Sequence, residues 1–307
     1  MRTFTCATRA SRLALVQTQL IADDLKRFRP DARIFIKKIS TTGDQDTSTA
    51  LWKLEGTGFF TSQIEAALLS SEADFAVHSF KDLPTCPSKG LTIAALCRRE
   101  YVEDVLVAKK SVRSIEDLPA GAKVGTSSLR RRAQIKHIRP DIETVTIRGN
   151  VETRIKKVDG GEADAIVIAR AGLERLGLAD RINLIFEPAE FLPAPGQGTL
   201  AIETRADDSE AIEMIALLND ENSKISALAE REVLAIMEGG CHAPIGAYAE
   251  IRGQTMKLFA FVSDLDGGRC IKRSIEGQTE NWRALARQLA DELLAAGGKE
   301  ILAELKP

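Results

Sequence analysis

The stretch AKVGTSSLRRRAQIKHI, residues 122–138, changes character in its middle. Its opening reads as a strand that runs through Gly125 into Thr126, Ser127 and Ser128, and its remainder reads as a helix. That order leaves three hydroxyls and the unpaired backbone N–H groups of a helix start in one place. The geometry suits an anion, through the free donors and the helix dipole. Arg130 and Arg131 follow at once and can fork onto carboxylates. The same residues also read as a serine cap followed by a solvated basic face. DNA binding through the arginine run is a third reading, although the run is short and has no aromatic interleaving.

Outward from this stretch the alternation continues in both directions. FTCAT reads as a strand, and Ser11 caps a helix with Leu13, Val16, Leu20, Leu25 and Phe28 on roughly one face, stopped before Pro30. RIFIKKI, DFAVHSF, ETVTIRG and DAIVIA read as strands; FFTSQIEAALLSS, VETRIKKV and GLERLG read as helices. Strands alternating with helices argue for α/β layers with largely parallel sheets. After residue 220 the pattern changes. SKISALAEREVLAIM is a helix with Gly239 as its stop, then AYAEI, TMKLFAFV and CIKRSIEG suggest antiparallel strands, and WRALARQLADELLAA a terminal helix. This part reads as a separate α+β domain.

A chain of 307 residues is long enough for two or three domains. Hydrophobic residues at 44% and charged residues at 28% indicate a folded globular protein, and the formal charge of −2 exerts no global pull on nucleic acid or anionic membrane. Any anion site must be built locally. The N-terminus lacks a signal peptide's apolar run, and no stretch approaches the ~20 apolar residues that span a bilayer, so a cytoplasmic address and no membrane partner are expected. Cys6, Cys86, Cys97, Cys241 and Cys270 form no CxxC pair, and three histidines are few, so neither disulfides nor a metal site are expected.

Arg148 and Arg154 bracket a predicted helix start in RGNVETR, the usual place for a ligand-facing loop in an open α/β sheet. Arg9, Ser11 and Arg175 lie at similar predicted junctions. Several such arginines together suggest a cleft for a ligand with many carboxylates. In HSFKDLP, strand alternation puts Val77, Ser79 and Lys81 on one face and Ala76, His78 and Phe80 on the other, with Asp82 at the exit. Lys81 and Asp82 could form an ordinary surface pair; beside an anion cleft, Asp82 could shuttle protons and stabilise a developing cation. His78 reads as a structural histidine. Cys241, in EGGCHAPIG, follows a helix C-terminus, where the dipole disfavours a thiolate. It is a poor candidate for a turnover nucleophile. A small residue in a tight turn and a thiol that reacts once with a strong electrophile both remain open.

In order, ATRASRLAL, DFAVHSFKDLP, VGTSSLRRRAQ, IRGNVETR, GLERLGL, LPAPGQGTLAIE and EGGCHAPIGAYAE resemble the porphobilinogen deaminase (hydroxymethylbilane synthase) family along essentially the whole chain. The resemblance implies two α/β domains of the type II periplasmic-binding-protein kind, joined by two hinge crossings, plus a C-terminal α+β domain. Domain 1 would take residues 1–98 and 199–217, domain 2 residues 104–193, and domain 3, with the cysteine loop, residues 221–307. It implies a dipyrromethane cofactor on Cys241 through a thioether. The family's activity would be deamination of porphobilinogen, addition of four pyrrole units to that cofactor, and release of the linear tetrapyrrole hydroxymethylbilane, by a monomer with no nucleic-acid partner.

The resemblance also implies roles. Asp82 would hydrogen-bond the pyrrole nitrogens and stabilise the cation formed as ammonia leaves. Arg9, Ser11, Ser79, Lys81, Thr126, Ser127, Ser128, Arg130, Arg131, Arg148, Arg154 and Arg175 would bind the acetates and propionates of cofactor and growing chain. Gln197 belongs to the hinge region and is expected to face the cleft. Two departures stand out: Thr57 occupies a position where many members have lysine, and His242 one where glutamine is common. A non-catalytic binding protein of the same two-lobed fold is the rival reading; the additional cysteine-bearing domain argues against it.

Overall fold

The computed structural model describes residues 2–41, 61–237 and 243–305. They form two compact units, one from residues 2–41, 61–100 and 198–224, the other from the remainder. Gly239, Cys241, His242 and Thr57 lie outside the described residues.

The first unit opens with β1 (Thr3–Arg9), α1 (Arg12–Phe28) and β2 (Arg33–Ile39), followed by α2 (Ser62–Leu69), β3 (Phe75–Ser79) and β4 (Leu91–Leu96). Ser11 caps α1 as its sequence position predicts, its Oγ accepting from the Ala14 amide at 3.3 Å. The buried stripe of α1 differs from the expected one. It runs through Thr18, Ile21, Ala22 and Leu25, while Leu20 and Phe28 are exposed. Thr8, next to the end of β1, donates its hydroxyl to the Ala14 carbonyl at 3.3 Å and so ties the strand to the first turn of α1.

The chain leaves this unit after residue 100 and returns at residue 198 to add β10 (Leu200–Arg205) and α6 (Ser209–Ala216). Sheet order is β2-β1-β3-β10-β4. β1 is parallel to β2 and β3, whereas β10 is antiparallel to β3 and β4. One face packs Phe75, Val77 and Ile202 against Leu25 of α1 and Ile215; the other packs Ala7 and Ala76 against Ile64 and Leu68 of α2.

The second unit repeats the plan with β5 (Asp104–Ala108), β6 (Lys123–Gly125), α3 (Leu129–Ile138), β7 (Glu143–Val145), α4 (Val151–Asp159), β8 (Ala165–Ala169), α5 (Arg170–Leu176) and β9 (Leu184–Ile185). Its order is β7-β6-β8-β5-β9, with β6 parallel to β7 and β8, and β5 antiparallel to β8 and β9. Each sheet therefore has a parallel trio and an antiparallel pair, rather than the largely parallel order expected from the sequence. In both, the reversed strand, fourth in the order, is the first one laid down after a crossing. The two lobes have the paired α/β architecture that the sequence predicts.

From residue 225 on, the same unit carries the C-terminal α+β part: α7 (Glu221–Ile236), whose first four residues fall in the first unit, β11 (Ile245–Arg252), β12 (Thr255–Ser263), β13 (Cys270–Gln278), α8 (Trp282–Leu293) and α9 (Lys299–Leu305). Its antiparallel sheet alternates over the middle of β11 and the first part of β12, and both faces are buried at the ends nearest residues 245 and 263. Ala247, Ala249, Leu258 and Ala260 face a core closed by Val233 of α7 and Leu289 and Leu293 of α8. Among the described residues no helix is long and apolar enough to cross a membrane.

The turn between β12 and β13 docks on α3. Gly267 carries a left-handed φ of +69°, its carbonyl lies 2.9 Å from His137 Nδ1, and Arg132 reaches Asp266 at 2.7 Å. A Cβ on Gly267 would stand 2.3 Å from the Ala133 carbonyl oxygen and 2.6 Å from the His137 amide nitrogen, both backbone atoms. Gly121 shares the conformation, at φ +73°, but has open space around it. Thermal melting should therefore separate the two. Gly121→Ala should cost about 1 kcal/mol of left-handed strain, and Gly267→Ala about 1–3 kcal/mol more from the clash. Equal melting points for the two variants would contradict this docking.

Candidate active site

Parallel neighbours bring their C-terminal ends together, and in the first unit those ends hold five of the predicted site residues. Arg9 closes β1, Ser11 caps α1 and Ser79 closes β3, where its Oγ accepts from Gln17 Nε2 at 3.1 Å. β3 then breaks. Phe80 is buried, its amide donates to the Thr199 carbonyl at 3.0 Å, and residues Phe80–Asp82 form one 3-10 turn. Lys81 is thus on the turn rather than in the strand alternation with Val77 and Ser79. The pinned backbone gives Asp82, which is exposed, a fixed base.

In the second unit the parallel trio β7-β6-β8 does the same. Ser128 caps α3, its Oγ accepting from the Arg131 amide at 3.4 Å. Thr126 Oγ1 accepts from the Ser128 amide at 3.2 Å, and Ser127 Oγ donates to the Ile147 carbonyl. A cavity at this junction is lined by Thr126, Ser127, Ser128, Arg132, Thr144 and Thr146 with two apolar neighbours, and its wall contains no carboxylate. Arg148 lies in the loop after β7, which ends at Val145, short of the predicted ETVTIRG. Asn150 caps α4 by accepting from the Thr153 amide at 2.8 Å, and Arg154 Nε donates to the Gly149 carbonyl at 2.8 Å. Arg175 departs from its predicted junction. α5 begins at Arg170, so Arg175 occupies the last turn of that helix.

Arg130 and Arg131 turn inward. Asp104, fully buried at the start of β5, accepts from Arg130 Nη1 at 2.7 Å through one oxygen, and from Arg131 Nη2 at 2.7 Å and Nε at 3.1 Å through the other. Further donations run from Arg130 Nη1 to the Leu192 carbonyl at 2.6 Å and from Arg131 Nη1 to the Val167 carbonyl at 3.3 Å. Gln197, expected to face a cleft, is wholly buried and joins the cluster. Its Nε2 donates to Asp104 Oδ1 at 2.9 Å and to the Val102 carbonyl at 2.8 Å. Burial pushes the Asp104 carboxyl up, but the two guanidiniums outweigh it and hold the group below the usual carboxylate range. Arg130 is pulled below its ordinary value, chiefly by burial and secondarily by the like charge of Arg131. One anion against two cations leaves the trio with a formal charge of +1 beside the start of α3.

Residues 4–213 match the sequence profile of the porphobilinogen deaminase dipyromethane cofactor binding domain, and residues 224–295 that of the porphobilinogen deaminase C-terminal domain. The chain belongs to the porphobilinogen deaminase family. Among its relatives, the porphobilinogen deaminase of Alkaliphilus metalliredigens is 42% identical, with 98% of this chain and 95% of that one covered. That of Desulforudis audaxviator is 45% identical, covering 97% and 96%. Similar solved structures include a putative periplasmic sulfonate-binding protein from Methylobacillus flagellatus KT, at 14% identity, 76% and 68% coverage and a TM-score of 0.42. A probable amino-acid transporter binding protein from Bacillus subtilis shows 13% identity, 71% and 90% coverage and a TM-score of 0.43.

The family's dipyrromethane cofactor carries carboxylates, and the donor set fits it: hydroxyls, a helix start and cations, with no acid in the cavity wall. Asp104 was not singled out from the sequence, although an acid leading the apolar run DVLVA was the available signal. Its removal should be severe. Asp104→Asn leaves two buried guanidiniums without a counter-charge, so melting should report a loss of about 3–5 kcal/mol. Because its folded pKa is depressed, the Asp104 contribution is present above the ordinary value of 3.8 and is withdrawn as pH falls below it. An unchanged melting point for Asp104→Asn would contradict the assignment.

Proposed function

We propose that this chain is a hydroxymethylbilane synthase in which Asp82 is the catalytic carboxylate and the clustered arginines and hydroxyls hold the substrate's acid groups. The observation that carries the reading is the composition of the strand ends. Donors and cations gather there in a chain of net charge −2, and the carboxylate that stands exposed among the predicted site residues is Asp82.

Arg9, Ser11, Ser79 and Lys81 in one unit, and Thr126, Ser127, Ser128, Arg148, Arg154 and Arg175 in the other, bind acetates and propionates through charge-assisted bonds. Arg130 and Arg131 contribute the residual charge of the buried trio, and Gln197 keeps that trio in place. When bound through Cys241, dipyrromethane supplies the pyrrole carbon to which the first substrate unit is joined. Porphobilinogen loses its side-chain nitrogen as ammonia, which spreads positive charge over its ring. Asp82, held close to the pyrrole N–H, stabilises that charge electrostatically. Coupling then releases a proton from a ring carbon, and the exposed Asp82 carboxylate can take it and pass it to solvent. The reading includes a cytoplasmic monomer with neither nucleic acid nor membrane as partner.

Asn at position 82 keeps the shape and one acceptor but lacks the charge. Asp82→Asn should fold, carry the normal adduct mass and lose turnover by about 10²-fold or more. Asp82→Glu should retain part of the rate, because the charge survives in a shifted position. Steady-state assays, with circular dichroism for folding and intact mass for loading, check both. A folded, loaded Asp82→Asn enzyme that turns over near the wild-type rate would remove Asp82 from this role.

A further inference from the structure

The face of the first sheet that packs on α2 carries two buried ionisable side chains for which the reaction above has no use. In the antiparallel register of β3 and β10, His78 stands opposite Ala201 and Glu203 opposite Ala76, which makes them diagonal neighbours on one face. Both are nearly inaccessible, at 6% and 2% exposure. His78 Nε2 lies 3.3 Å from Glu203 Oε2, yet neither atom has an aligned hydrogen bond among the described residues. Ala7 and Ala76 on this face, with Ile64 and Leu68 of α2, are apolar.

Such a pair gives little stability. Apolar residues of the same volume often serve as well or better, because both polar groups must be stripped of water. Its position offers a different use. His78 is two residues before Phe80, which starts the turn bearing Asp82. Glu203 lines a small cavity with room for about one water. The wall of that cavity includes Leu83 and Pro84, the two residues that follow Asp82, and Glu65, whose Oε2 accepts from Ser88 Oγ at 2.5 Å. The pair thus borders the turn at its entry and at its exit.

We propose that His78 and Glu203 are positioning residues for Asp82, a role that rests on Asp82 being the catalytic carboxylate. The hydrogen bond from the Phe80 amide to the Thr199 carbonyl holds the start of the turn, and apolar packing beneath its exit would add no directional constraint there. Glu203, which lines the cavity beside Leu83 and Pro84, and His78, two residues before the turn, face each other at 3.3 Å and add a polar contact that ties the two points together. Catalysis needs that accuracy, since a misplacement of about 1 Å can cost 10²-fold in rate.

The test is a double-mutant cycle of Glu203→Gln and Asp82→Asn, read by steady-state kinetics, melting and intact mass. Glu203→Gln should fold, carry the wild-type adduct mass and keep KM within about twofold, while kcat falls about tenfold. In the Asp82→Asn background the same change should cost nothing further. His78→Asn, as the second variant, should repeat the pattern. Wild-type kcat in Glu203→Gln would overturn the proposal, and so would a tenfold loss that persists in the Asp82→Asn background. Failure of both variants to fold would mark the pair as part of the fold and overturn it too. If Asp82→Asn itself keeps its rate, the reading of Asp82 fails instead, so the two failures are distinguishable.

Discussion

One buried carboxylate organises much of the second unit. Asp104 receives Arg130 and Arg131 from α3 and the carboxamide of Gln197 from the return crossing, while the same arginines reach the carbonyls of Leu192 and Val167. A charge at that depth is tolerable only if fully paired. The start of β5, the start of α3 and the chain just before the return crossing must therefore all meet there. Two consequences follow for function. The helix start that offers Thr126, Ser127 and Ser128 is held from behind, and one unneutralised positive charge remains next to it.

This explains how a chain with 42 basic and 44 acidic side chains can hold a polyanionic ligand. Acidic groups are paired, some at a strand end, as Asp104 is opposite Ala169 at the end of β8, and others away from it. Asp74 and Asp208, for example, meet Arg2 and Arg205 elsewhere in the first unit. Hydroxyls, backbone donors and cations are left at the C-terminal ends of the parallel trios. Asp82 is the exception among the site residues, and it stands on a turn fixed by buried Phe80.

Much of this was legible in the sequence. Ser11 and Ser128 declared themselves as caps, RIFIKKI is β2 residue for residue, and the period change after residue 220 marked the C-terminal sheet and helices. What was not legible depended on distant partners. DVLVA and LAIETR are buried strands whose direction relative to their neighbours is a tertiary property, so the antiparallel β5 and β10 carry no local signature. Lys81 left the strand alternation because Phe80 bonds to Thr199, more than a hundred residues later. Gln197 looked like a ligand-facing polar residue in a glycine-rich turn, and only Asp104 and the Val102 carbonyl show why it turns inward. Arg130 and Arg131 pointed to anion recognition, and the carboxylate they meet in the fold is the protein's own.

The central claim is that the arrangement serves a pyrrole chain built on a covalent anchor, and the mass of the intact purified protein tests it most directly. The account predicts a mass above that of the 307-residue chain by one dipyrromethane unit, located by peptide mapping to Cys241 and lost together with activity in Cys241→Ser. An unmodified protein with full activity would contradict it.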